Sequence, residues 1–486
     1  MANKNLKTTD RDFFELVTRA AFANPFGESR AQFDARLGGG DPGSEDIVEQ
    51  AMESVRTRLE GLWPIRLAEY EGRDQELLEI AILFDTFHRF VEDFDLLVER
   101  QIAAGAQPLQ ANFGKEIVSL LSEQGMGVER AVRYVGIFYQ MRRAFYFARH
   151  GLIGSSASMR RLRERLWENV FTRDLRLYEA HLWDRMEDFS TFLVGETGTG
   201  KGAAAAVLGR SSWIPYDELA GRFAQSFTEL FVPINLSQYP ESLIESELFG
   251  HRKGAFTGAV EAHEGVFGRC QRHGVIFLDE IGEAGPPVQI KLLRLLQERS
   301  YSPVGSHAVE RFEGRVVAAT NRDIGELREE GRFRDDFFYR LCSDVIEIPT
   351  LRQRLIEAPL ELEGLVRHIV KGLVGKTLDE VVEGVLETVE RTLPDDYGWP
   401  GNVRELEQCV RRVIIRGDYE GDPGKGRAVG ESDALARAFE NGELEARELL
   451  SAYCKLLYER FGTYEEVGRR TGLDRRTVKR HIDDAV

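Results

Sequence analysis

The chain has 486 residues, 42% hydrophobic and 30% charged, with a formal net charge of −17 at pH 7; this length suits about three domains with ample cores. No apolar run approaches the roughly 20 residues that cross a bilayer, and the cysteines Cys270, Cys342, Cys409 and Cys454 lie too far apart for a disulfide framework or zinc site. The acidic balance excludes general affinity for nucleic acid, so any DNA contact must come from a local basic patch.

At the N-terminus, Met1–Leu6 runs straight into charged residues without an apolar leader, and with the absence of spanning segments this predicts a cytoplasmic protein with no membrane partner. Residues 1–149 read as a helical region. Phe87, Phe90, Val91, Phe94, Leu97 and Val98 recur at three- and four-residue steps, as do Val135, Phe138, Tyr139, Arg142 and Phe145. Gly38–Gly43 breaks two helical stretches. The aromatic density from Tyr134 to Phe147 is that of a core stripe, and pocket lining is the other reading. The region carries no phosphoacceptor pattern and no metal cluster, and its signal is not legible; it is expected to be regulatory or sensory.

Thr191–Val194 is a short apolar run, read as a buried strand. It leads into Gly195-Glu196-Thr197-Gly198-Thr199-Gly200-Lys201-Gly202 and then an alanine-rich helix former. Strand, glycine-rich loop, lysine and helix make a phosphate cradle: inward backbone N–H groups, a helix N-terminus favouring negative charge, and Lys201 reaching the β- and γ-phosphates. The position after the lysine, usually a magnesium-ligating Ser or Thr, is Gly202. Val275–Leu278 is a second apolar strand, ending in Asp279 and Glu280. There Asp279 can hold Mg²⁺ through water while Glu280 polarises the attacking water. A third, Arg315–Thr320, ends in Asn321, placed to sense the γ-phosphate. These pieces predict an open α/β ATPase using ATP and Mg²⁺.

With Ser246–Ala259, Phe333–Leu341 and Trp399–Leu406 added in order, the chain resembles the AAA+ activators of sigma-54 RNA polymerase, the bacterial enhancer-binding proteins. The resemblance covers roughly residues 150–415 and returns at the C-terminus. It implies that Asn235 holds the catalytic glutamate until nucleotide is seated, that Arg334 and Arg340 reach a neighbouring subunit's site in a ring, and that Arg404 reports nucleotide state to a helical lid. Ile153, in Leu152–Ser155, matches the segment that lies against adenine. The small-residue loop Gly254-Ala255-Phe256-Thr257-Gly258-Ala259 is implied to contact sigma-54 within the RNA polymerase holoenzyme, Phe256 being the anchor and Thr257 its support. The departures are Gly202 in place of the family's usual glutamate, Leu236 where cysteine is common, and extra length around 213–228 and 166–188. That extra length is either surface embellishment or contact for the N-terminal region.

Gly421–Gly426 and Gly430–Asp433 read as a linker, followed by a helix near 443–460. Gly468, Gly472 and Val478 then have helix-turn-helix spacing, with Asp474 as cap and Arg475, Arg476, Lys479 and Arg480 as candidate contacts to double-stranded DNA. The expected organisation is a regulatory region over 1–149, an α/β core over 150–348 and a helical lid over 349–420. A linker over 421–442 and an all-α DNA-binding domain over 443–486 complete it. The function expected is an ATP-dependent activator working as a dimer-to-hexamer assembly. The alternatives are a repressor whose ATPase only sets its oligomeric state, and a remodeller of another client.

Overall fold

The computed structural model describes residues 4–42, 44, 46–421 and 446–483; the expected linker at 421–442 lies outside them apart from Gly421. Two compact units are resolved by their internal contacts, residues 1–375 with 401–404, and residues 376–400 with 405–486.

The first unit begins with helices α1 (Thr8–Phe22), α2 (Glu28–Gly38), α3 (Ile47–Glu60), α4 (Gly72–Arg89), α5 (Val91–Ala104), α6 (Phe113–Glu123), α7 (Val128–Gly151) and α8 (Ala157–Phe171). The expected break after α2 is real: Gly39 takes a left-handed φ of 73° and its N–H closes on Ala35. The expected stripes pack inward, with Phe94, Leu97, Val98, Val135 and Tyr139 buried, while Phe87 and Phe138 also line a cavity. Arg142 lies on the stripe because Asp95 receives its guanidinium at 2.6 Å.

A five-stranded parallel sheet follows, built from β1 (Thr191–Val194), β4 (Phe231–Asn235), β5 (Val275–Asp279), β8 (Arg315–Thr320) and β9 (Asp344–Glu347), in the order β4-β5-β8-β1-β9. All of β8 and the first four residues of β5 are buried, as continuous apolar strands covered on both faces must be. Helix α9 (Lys201–Arg210) follows β1 and rests on β5. The chain thus has an α/β core flanked by helical regions.

The extra length at 213–228 is not a surface embellishment. It folds into a small antiparallel hairpin, β2 (Tyr216–Asp217) with β3 (Arg222–Phe223), pressed against α6 and α7. Tyr139 stacks on Phe223 at 4.0 Å between centroids, and Tyr216 donates to the Ala111 carbonyl at 3.0 Å. Two glycines make the approach possible, because a Cβ on Gly136 would lie 2.4 Å from Trp213 and one on Gly114 2.4 Å from Tyr216. Behind the hairpin, the fully buried Arg143 donates to Arg210 O at 2.6 Å and Ser212 O at 2.7 Å. A cation at a helix C-terminus satisfies carbonyls the helix leaves open. The helical region and the sheet consequently share one continuous apolar core.

In the second unit, Tyr419 donates to Glu405 at 2.9 Å, Tyr397 donates to the same carboxylate, and Trp399 stacks on Tyr419. Its last residues form three helices, Ala446–Phe461, Tyr464–Thr471 and Arg475–Asp483. Val467, Val478 and Cys454 are their buried centre. Gly472 makes the turn at φ 73°. Gly468 leaves room for the turn carbonyl of Leu473, 2.8 Å from where a Cβ would stand. Asp474 caps the last helix through the N–H groups of Arg476 and Thr477.

Candidate active site

The glycine-rich turn between β1 and α9 gathers its groups around Lys201. Gly200 caps α9 at a left-handed φ of 104°, and Gly198 is required because a Cβ there would stand 2.2 Å from Gly401 O. The Lys201 ammonium is buried and donates to Gly195 O at 2.8 Å and Glu196 O at 3.0 Å. Burial lowers its pKa from the ordinary value, against the opposing pull of Glu280 and Asp279. Gly202 is exposed, and its nearest neighbour is Phe277 at 4.0 Å from an added Cβ, so the position has room for a side chain.

Asp279 ends β5, and burial raises its pKa while Lys201 pulls it back. Asn235 makes its carboxylate hydrogen bond to Asp279 and not to Glu280. Its Nδ2 donates to Asp279 Oδ2 at 3.2 Å, because Asn235 and Asp279 are register partners in adjacent parallel strands and project on the same face. Glu280 turns away on a left-handed backbone, φ 55°, and its Oε2 accepts from Asn321 N at 3.2 Å and Thr320 Oγ1 at 3.5 Å. Asn321 Nδ2 in turn donates to Thr197 Oγ1 at 2.7 Å. The tips of β4, β5 and β8 thus meet the phosphate cradle as the strand order requires.

The centre of the cradle's outer wall is Asn402, from the Trp399–Leu406 run, a role that no local pattern signals. Asn402 is fully buried. Its Nδ2 donates to Glu196 Oε2 at 3.0 Å and Thr197 O at 3.1 Å, while its Oδ1 accepts from Leu351 N at 2.8 Å. Glu196 also takes the Arg352 guanidinium at 2.9 Å, which lowers its pKa below the usual carboxylate range. Arg404, exposed beside Gly198, adds a positive field felt by Lys201 and Asp279. The Ile153 segment is pinned by a buried Arg354–Glu361 pair. Arg354 donates to Ile153 O at 2.5 Å, and Glu361 accepts from Ser155 N and Ser156 N at 2.9 and 2.7 Å. No spacing rule signals contacts between residues about two hundred positions apart.

Arg334 and Arg340 are exposed, and their bonds within the chain run elsewhere, to Asp336 at 2.7 Å and to Leu296 O at 2.8 Å. Gly254–Ala259 forms a turn closed on itself, with Gly254 N donating to Ala259 O at 2.8 Å. It is braced by the turn between β6 (Ser300–Tyr301) and β7 (Glu310–Arg311), where Arg252 N donates to Val304 O at 3.1 Å. Phe256 stands exposed at its tip, its ring 4.9 Å from His251, and Thr257 beside it is exposed as well. Arg475, Arg476, Lys479 and Arg480 are all exposed on the last helix. Among the described residues no cluster of three His, Cys, Asp or Glu could hold a metal, and no helix is long and apolar enough to cross a membrane.

Residues 169–348 match the family described as Sigma-54 interaction domain. The chain is 42% identical over 231 residues to the DNA-binding transcriptional regulator NtrC of Azospirillum brasilense, an alignment covering 46% of this chain and 43% of that protein, less than half its length. It is 32% identical over 447 residues to the transcriptional regulatory protein ZraR of Escherichia coli O157:H7, covering 88% of this chain and 90% of the relative. A crystal structure of NtrX from Brucella abortus in complex with ADP aligns with a TM-score of 0.41 at 20% identity, over 76% of this chain and 79% of that one.

Proposed function

This chain belongs to the sigma-54-dependent transcriptional activators, and from that premise we propose that it binds upstream DNA and hydrolyses ATP in an oligomeric ring to remodel sigma-54 RNA polymerase closed complexes. Its Sigma-54 interaction domain is of the AAA+ ATPase type. The observation that carries the finer reading is the placement of one exposed aromatic, Phe256, on a self-closed turn inserted between the cradle and Asp279–Glu280.

In this reading the phosphates take the amides at the N-terminus of α9, and Lys201 leaves its two carbonyls to pair with the β- and γ-oxygens. Mg²⁺ would supply charge neutralisation for the triphosphate. A single carboxylate with a water shell suits it, and since Gly202 has no hydroxyl, Asp279 carries the protein's share, held in place by Asn235. Glu280 polarises the attacking water, and Asn321 Nδ2 exchanges Thr197 Oγ1 for the γ-phosphate. Arg334 and Arg340 act on a neighbouring subunit's nucleotide, as planar guanidinium groups suit spreading phosphoryl charge. Arg404 couples nucleotide state to the helical lid, and Ile153 lies against adenine. Asn402 and Arg352 hold Glu196 beside the cradle. Arg475, Arg476, Lys479 and Arg480 contact the duplex. The region over 1–149 governs the ring through its shared core with α9.

The test uses purified sigma-54 holoenzyme, ATP and a promoter that stays closed without an activator. The parent chain should open it, Lys201→Ala should neither hydrolyse nor open, and Phe256→Ala should hydrolyse without opening. No open complex with the parent at any concentration would favour a repressor or another client. Normal opening by Phe256→Ala would return the loop to being a turn.

A further inference from the structure

Helix α7 carries two opposed faces, and only one is occupied by the ATPase core. Gly136, Tyr139, Gln140 and Arg143 face the hairpin and the end of α9. Tyr134, Ile137, Phe138 and Met141, spaced at i, i+3, i+4 and i+7, face a cavity of about 460 Å³ instead. Its other walls are α1, α4 and the segment Leu175–Ala180, and its floor is apolar, including Ile80, Leu83, Phe84 and Phe87. The cavity opens to solvent between charged residues, so a small molecule can enter it. The volume falls within the range of small-molecule sites and is about three times that of an apolar cavity that takes benzene.

The rim sets the charge of the occupant. Arg130 pairs with Glu79 at 2.6 Å and Glu179 at 3.5 Å, and it donates to the Tyr134 hydroxyl at 3.3 Å. Arg176 faces Glu76 at 3.5 Å. Both lining guanidinium groups already face carboxylates, and Glu76 is also held by Arg73 at 2.8 Å, so neither is spare for an anion. The wall at Leu175–Ala180 also reaches the nucleotide side. From its far side the fully buried Tyr178 donates to Gln140 Oε1 at 2.6 Å, and Gln140 Nε2 donates to Ser211 O at 2.9 Å, just past α9.

We infer that this cavity is an effector site for an uncharged or cationic molecule with an aromatic body of two or three rings, and that Tyr178 and Gln140 carry its occupancy to the end of the phosphate-cradle helix. The site stands on its own geometry; its readout rests on the ATPase reading above.

The probe is the neutral fluorophore N-phenyl-α-naphthylamine, titrated into the full chain, with its relative anilinonaphthalene sulfonate as the anionic counterpart. The neutral probe should saturate at one per chain, with the sulfonate at least about tenfold weaker. Ala180→Trp from an exposed position and Ala21→Trp from a half-buried one fill the cavity and should abolish binding while melting like the parent. The neutral probe should change the ATPase rate of the parent, and Gln140→Leu should bind it equally without responding. Unsaturable binding, equal affinity for the sulfonate, or full affinity in both correctly folded tryptophan variants would overturn the site. Saturable binding with an unchanged parent ATPase rate would overturn the coupling. A chain that binds the probe but hydrolyses no ATP would instead sink the proposed function and leave the site standing.

Discussion

Replacing Asn402 tests whether the outer wall of the cradle is held as described. Asn402→Ala removes three hydrogen bonds, to Glu196, Thr197 and Leu351, at about 1 kcal/mol each. It also places alanine at φ 53°, where asparagine is tolerated and alanine costs about 1 kcal/mol more. The expected loss is about 4 kcal/mol, and about 3 for Asn402→Gly, which loses the same bonds without the strain. In a unit of this size about 2 °C accompanies each kcal/mol, so thermal scans should place the alanine variant roughly 8 °C below the parent and the glycine variant between them. In the proposed ATP site Glu196 and Thr197 would flank the phosphates, so the KM for ATP should also rise about tenfold, the equivalent of 1.4 kcal/mol. Parent-like melting and ATP affinity in both variants would refute the role. Identical melting of the two variants below the parent would refute the strain alone.

Gly202→Ala should raise stability by about 1 kcal/mol in chemical denaturation, since the position is helical, exposed and open to a side chain. Gly136→Leu should drive Trp213 out of its packed site, lowering the melting temperature and red-shifting tryptophan emission. His88 donates from Nδ1 to Phe84 O and accepts from Arg30 at Nε2, a neutral ring whose pKa burial pushes down to about 3. Unfolded, it titrates near its ordinary value of about 6.5. Between these values the unfolded chain binds the proton that the folded chain refuses, so stability should fall as pH drops from about 6.5 toward about 3. His88→Gln should flatten that part of the profile, measured by denaturation at several pH values.

Much of the site was legible because its signals are local. The run Thr191–Val194, the glycines before Lys201 and the apolar strand before Asp279–Glu280 each say what they form within a few residues. Asp474 as cap, Gly472 as turn and Val478 as core were legible for the same reason. That Asn235 bonds Asp279 was not legible, because strand register and a left-handed backbone at Glu280 decide which carboxylate it meets. The edge strand Asp344–Glu347 went unread, since one charged residue at each end masks a short apolar centre.

The sequence alone therefore determined the order of chemical parts, an ATP-type cradle, an acidic pair and an exposed aromatic turn, since helix and strand periods and glycine conformations are properties of neighbouring residues. Only the tertiary structure decided how those parts are governed. Asn402 reaches Glu196 across 206 positions, Arg143 closes the end of α9, and two-residue strands at 216–217 and 222–223 tie the helical region to the core. Two-residue strands have no period to read, and contacts between distant residues exist only after the chain has paid the entropy of bringing them together.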